Sequence, residues 1–247
     1  MNSQFIKHIN RKNFNEMNSN TQQLYLTDIF LCEKEFDSRK DPISRKYIYK
    51  IRYSPSLIND QAFLFTNDFY YNIFPHKFRS AGKNLNTHGN FSIEKIKEII
   101  PVFQGQTYDY SNFYKNKNGA EIVNPVRRID KIDCLVKEDT IFGEHKKVYE
   151  INLTFQARSF LRNQIRFLVN IILDYACDKI SKEEICEYLL MKKVNLNKTA
   201  APAQGLYLMD LEYDESKYAY HEKWNRYFEE KYLESKLSSE RNGDKYK

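Results

Sequence analysis

The chain has 247 residues, 41% hydrophobic and 29% charged, with its many Tyr and Phe residues spread along the length, and this suffices for a core that needs neither disulfides nor metals. A formal charge of +6 favours an anionic partner such as nucleic acid without requiring one. Cys32, Cys134, Cys177 and Cys186 are far apart, with no C-x-x-C pair and no H-E-x-x-H, which argues against a zinc centre, and the short apolar run from Leu168 to Leu173, interrupted by Asn170, cannot span a membrane.

The first twenty residues are rich in Asn, Lys and Ser and read as a mobile start or as the tail of something interrupted, without a secretory h-region. LYLTDIFLC, 24–32, has the composition of a strand. Over 45–53, Tyr47, Tyr49, Ile51 and Tyr53 share one face while Lys46, Ile48, Lys50 and Arg52 share the other, the period of a strand with a basic stripe. Ser92, followed by Ile93, Ile96, Ile99 and Ile100 and then Pro101, predicts a capped amphipathic helix that stops at the proline. VYEINLTF, 148–155, alternates as a half-buried strand.

Directly after it, Leu161, Ile165, Leu168, Ile172 and Ala176 recur at three- and four-residue spacing, which predicts a helix packed on the sheet. Ser181 and Glu184 form a capping box for a further helix running through Leu190. Pro202 and Gly205 mark a turn into a strand in which Tyr207, Met209, Leu211 and Tyr213 alternate with Leu206, Leu208, Asp210 and Glu212. The order is that of an α+β fold, and from Lys217 onward the chain becomes a charged tail.

Arg158, Arg162 and Arg166 recur every four residues, so the latter two at least are expected on one helical face, where like charges repel unless an anion compensates them. Lys46, Lys50 and Arg52, with Arg39 and Arg45 upstream, suit a phosphate backbone, whereas Tyr49 and Tyr53 read better as sheet core than as base-stacking groups. Asp109, within FQGQTYDYSNF at 103–113, is expected to cap the local backbone rather than to act chemically.

Four blocks in order resemble the TruA-type tRNA pseudouridine synthase family: FDSRKDPISRKYIYKI at 36–51, FQGQTYDYSNF at 103–113, ARSFLRNQIRFLV at 157–169 and APAQGLYLMDLEY at 201–213, with NPVRRIDKID at 124–133 similar to the family's V-R-x-I strand. The resemblance implies a pseudouridine synthase fold, a central antiparallel sheet flanked by helices and built from ferredoxin-like halves. Residues 1–33 would be a remnant of the first half, 34–216 the second domain and 217–247 the tail. It implies isomerisation of uridine to pseudouridine in tRNA, with the anticodon stem-loop the family's usual site, no cofactor or metal, a homodimer, and an intracellular setting in cytoplasm, nucleus or mitochondrion.

By motif, the resemblance makes Tyr47 the tyrosine that stacks on the target base and Arg166 the arginine that pairs with the catalytic aspartate. Arg39, Arg45, Lys46, Arg162 and Leu206 fall at RNA-contacting or site-lining positions. The family's R-T-D-x-G-V-H motif precedes the strand that matches LYLTDI, and residues 1–25 contain no aspartate. Asp28 and Asp37 match other positions, so the resemblance implies a chain without the nucleophilic carboxylate. Two readings follow: an enzyme whose sequence here is incomplete, with its upstream segment missing, and a non-catalytic RNA-binding relative such as a ribonucleoprotein structural or assembly component.

Overall fold

A computed structural model describes residues 35–55, 68–73, 91–114, 124–140, 147–192 and 199–214; the strand expected over 24–32, Asp28 and the tail from 217 lie outside the described residues. The chain divides into two compact units, Pro42–Glu212 and a smaller one that joins Met1–Asp41 to Tyr213–Lys247. In the smaller unit Phe36 and Tyr213 pack with ring centroids 5.3 Å apart, and the Tyr213 hydroxyl donates to the Ser38 carbonyl at 2.8 Å.

Within Pro42–Glu212 the strands are β1 (Ser44–Tyr53), β2 (Tyr71–Ile73), β3 (Thr107–Asp109), β4 (Val126–Arg128), β5 (Lys131–Thr140), β6 (Lys147–Ala157) and β7 (Leu206–Glu212). The main sheet is ordered β2-β1-β6-β5, and β7 also pairs β1. Along one side of β1, β6 runs antiparallel for the whole length. Along the other side, β7 runs antiparallel beside residues 44–49 and β2 parallel beside 51–53. β3 and β4 form a separate two-stranded ribbon.

The alternation expected in β1 and β6 is present: Tyr49, Ile51, Ile151, Leu153 and Phe155 are wholly buried, and they join one core with the buried faces of α1 (Ile93–Phe103) and α2 (Gln164–Ala176). The sheet therefore has one face against helices and one polar face, as antiparallel sheets commonly do. Burying each such side chain contributes roughly 1.5–3 kcal/mol.

Three local expectations are corrected. Pro101 does not stop α1, which runs on to Phe103. A proline here removes one N–H and crowds the preceding turn, at up to about 3 kcal/mol, and the complete burial of Phe103 offsets a cost of that size. The start of α1 is as expected, with Ser92 Oγ accepting from the Lys95 N–H at 3.3 Å.

Second, α2 begins only at Gln164. Asn163 sits at φ 60°, the left-handed region that Asn tolerates better than most residues. The preceding turn is closed separately: the Leu161 N–H donates to Gln164 Oε1 at 2.8 Å and the Gln164 N–H to the Leu161 carbonyl at 3.1 Å. Arg158 and Arg162 thus precede the helix, and the shared helical face expected for Arg162 and Arg166 is not formed.

Third, the alternation of β7 is broken by a register shift. Lys46 pairs with Asp210 and Tyr47 with Leu208, leaving Met209 as the extra residue of a bulge. The capping box of α3 (Lys182–Leu189) is present in full. Asp109 caps as expected, its Oδ1 accepting the Ser111 N–H at 2.8 Å, although the block around it also supplies β3 and a 3-10 turn at Ser111–Phe113.

Candidate functional site

Tyr47 lies on the helix-facing side of β1 but nearer the strand's beginning than the wholly buried Tyr49 and Ile51, and it is half-buried. It stands in a row across the sheet: Leu208 of β7, Tyr47, Phe155 of β6 and Ile132 of β5 are successive partners. Phe155 is wholly buried and Leu208 is 50% exposed, so the row passes from core to surface across Tyr47. The Tyr47 ring meets the edge of Phe160 at 5.5 Å and 89°, a favourable edge-to-face pair. The Met209 bulge is immediately beside Tyr47 in register, and bulges re-aim side chains where a regular ladder would not.

Arg166, in the first turn of α2, holds the segment ahead of β7 at two points. Its Nε donates to the Ala201 carbonyl at 2.5 Å, and its own carbonyl accepts the Ala201 N–H at 3.0 Å. Next door, the Tyr49 hydroxyl donates to the Pro202 carbonyl at 2.6 Å. Burial pushes the Tyr49 hydroxyl pKa well up, the Tyr71 hydroxyl adds to this, and the positive charge of Arg166 opposes it. The field of Arg166 therefore reaches the ring next to Tyr47 in the strand. Gly205 makes the close approach possible, since a Cβ there would lie 2.8 Å from the Lys50 carbonyl oxygen and 2.9 Å from the Tyr49 ring.

Leu206 follows directly, half-buried and opposite Tyr49. Tyr47, Arg166 and Leu206 are thus held by β1, α2 and β7 through one turn, Ala201–Gly205. Arg45 and Lys46 precede Tyr47, and an Arg45 terminal nitrogen donates to the Arg158 carbonyl, fixing the loop that carries exposed Arg158 and Arg162. Arg39 belongs to the smaller unit. It lies in an exposed turn whose Arg39 and Lys40 N–H groups donate to Asp37 Oδ1 at 2.8 and 3.2 Å, and the Arg39 bond leads the effects that hold the Asp37 carboxyl below its ordinary pKa.

Chemically, Tyr47 offers a braced aromatic ring at the edge of the core with cations beside it, which suits stacking on a planar base next to phosphate. A guanidinium such as that of Arg166 can hold a carboxylate through two parallel bonds. Among the described residues no three His, Cys, Asp or Glu side chains cluster as a metal site. Sequence reasoning did not single out Phe160, Ala201 or the bulge at Met209, and it took Tyr49 as core alone, whereas its hydroxyl also anchors Pro202. The one available signal was the place of Tyr49 as the second tyrosine of RKYIY at 45–49.

The model of a tRNA pseudouridine synthase family matches residues 101–214. Proteins called tRNA pseudouridine synthase A are similar over much of the chain. That of Leuconostoc mesenteroides is 27% identical over 180 residues, covering 73% of this chain and 59% of its own length. That of Ligilactobacillus salivarius is 27% identical over 190 residues, 77% of this chain and 62% of the relative, and that of Ureaplasma parvum 31% over 147 residues, 60% and 52%. The chain thus spans between 52 and 62% of the length of these curated relatives. With its motifs in order along an α+β core, the chain is similar to tRNA pseudouridine synthases of the TruA type over much of its described length.

Proposed function

We propose that this polypeptide binds tRNA and takes part in converting uridine to pseudouridine, with Tyr47 stacking on the target base. Arg166 orients the initiating carboxylate, Leu206 lines the site, and Arg39, Arg45, Lys46 and Arg162 contact the RNA backbone. The observation that carries this reading is the joint anchoring of the Ala201–Gly205 turn by Arg166 and Tyr49, which ties the helix bearing the arginine to the strand bearing Tyr47. The reaction cleaves the N1–C1′ bond, turns the uracil and rejoins it through C5. The uridine must first leave its stack, at a cost of about a few kcal/mol that basic and aromatic contacts offset.

A second reading is RNA binding without turnover by this polypeptide. Incubating the purified chain with unmodified tRNA and mapping pseudouridine by mass spectrometry separates the two. Pseudouridine in the anticodon stem-loop supports catalysis. Salt-dependent binding without product supports the second reading, and absence of both rejects each. The family's homodimeric state is part of the proposal and is checked by sedimentation velocity, as is an intracellular location, checked by cell fractionation.

A further inference from the structure

The β3–β4 ribbon is joined to the same end of the sheet as Tyr47. The Gly105 N–H donates to the Ile129 carbonyl at 2.7 Å, the Ile132 N–H to Gln104 Oε1 at 3.0 Å and the Asp130 N–H to the Gln156 carbonyl at 2.9 Å. Ile132 is itself the far member of the Tyr47 row. In the ribbon Arg127 stands opposite Tyr108 and is half-buried.

Arg127 Nη1 donates to the carbonyls of Asn124 at 2.9 Å and Val126 at 2.7 Å, and its shielded Nε has no hydrogen-bond partner. The cations that follow it are matched locally: Arg128 pairs with Asp130 at 3.2 Å and Lys131 with Asp133 at 2.8 Å. Among the described residues no carboxylate pairs with Arg127. Two carbonyl dipoles orient a guanidinium but leave its net charge in place, and a partly desolvated cation without a counter-charge projects a strong attractive field for anions. Desolvation also lowers the Arg127 pKa, yet arginine titrates so far above neutrality that the charge stays.

We propose that Arg127 receives an RNA phosphate, extending the nucleic-acid interface from the Tyr47 row across the end of the sheet to the β3–β4 ribbon. This rests on the RNA-binding reading above. With Nη1 given to the two carbonyls and Nε shielded, the charge-assisted contact to phosphate falls to Nη2, and a cation held by main-chain carbonyls loses little side-chain freedom on binding.

The test uses the whole chain as wild type, R127Q, R127K and K137A, the last an exposed lysine on β5 as control. Each is titrated with an unmodified tRNA transcript by fluorescence anisotropy between about 50 and 200 mM salt, where each neutralised phosphate adds about one to the logarithmic salt slope. R127Q is expected to bind roughly 5–10-fold more weakly with the slope reduced by about one, while K137A behaves as wild type. R127Q with wild-type affinity and slope overturns the proposal. If R127Q does not fold by circular dichroism, R127K decides: it keeps the charge but has no second nitrogen for the Asn124 and Val126 carbonyls to hold, so the slope stays and affinity drops about threefold, and unchanged affinity overturns the proposal. A wild-type chain without salt-dependent tRNA binding overturns the RNA reading itself, whereas wild-type binding unaffected by R127Q overturns only the role of Arg127.

Discussion

Replacing Gly205 by alanine presses a methyl group into β1. The new Cβ would meet the Lys50 carbonyl oxygen at 2.8 Å and Tyr49 Cε1 and Cζ at 2.9 Å. Backbone in a paired strand cannot withdraw, and the Tyr49 ring is wholly buried with its hydroxyl tied to Pro202. Either the ring tilts and loses that hydrogen bond, about 1 kcal/mol, or the start of β7 lifts away from Tyr49. Added to the roughly 1–3 kcal/mol of ordinary overpacking, the expected destabilisation is about 2–4 kcal/mol, or a fall in Tm of roughly 5–15 °C for a protein of this size. Urea unfolding with an unchanged m-value measures it. A G205A protein within about 0.5 kcal/mol of wild type refutes the steric account. Gly105 provides the contrast: a Cβ there meets nothing within 4 Å but would sit at φ +76°, so G105A should cost only the backbone strain of about 1–2 kcal/mol.

Asn163→Gly should be neutral or stabilising by up to about 1 kcal/mol and Asn163→Val destabilising by more than that, because only the backbone at φ 60° is at stake; thermal melts of the pair check it. Ser181→Ala removes the hydroxyl that accepts the Glu184 N–H in the capping box of α3 and should cost about 1 kcal/mol in urea unfolding. Arg166→Lys leaves the charge but lacks the Nε that reaches Ala201, so it should lose roughly 1.5–3 kcal/mol, together with any pseudouridine formation the wild-type chain shows by mass spectrometry. Burial pushes the Cys177 thiol up to about 12, Asp174 and Asp178 adding to it against Lys179 and Lys95. A thiol that keeps its proton more tightly when folded contributes its full stability below about pH 8.5 and loses it as pH rises. Stability should therefore fall through alkaline pH at about 1.4 kcal/mol per unit from this group, and C177A should show a shallower fall in unfolding experiments between about pH 9 and 11.

Much of the fold was legible because β1, β6 and the cores of α1 and α2 each carry a single period. Tyr49, Ile51, Leu153 and Phe155 fall on the buried face that alternation assigns them. β5 was missed as a full strand although Ile132, Cys134 and Val136 alternate with Lys131, Asp133, Leu135 and Lys137; its charged outer residues belong to an edge strand and mask the pattern. The start of α2 was not legible because the apolar spacing continues back through Leu161 while the break depends on the dihedral angle of Asn163 alone. The Met209 bulge depends on the partner strand and leaves no local signature. The roles expected for Tyr47 and Arg166 rest on wording close to the family's, while the bonds to Ala201 and Pro202 join groups far apart in sequence through carbonyls, which every residue has.

The row through Tyr47 also has a temporal meaning. Its members are residues 47, 132, 155 and 208, so a chain emerging from the ribosome can pair β1 with β6 and β6 with β5 well before Leu208 has been made. Until then the first half of β1 presents an unpaired edge, which is a hazard for misassociation, and the ring of Tyr47 lacks its outer neighbour. Contacts this distant in sequence are slow to close, so the surface around Tyr47 is completed last, after the core beneath it has already formed.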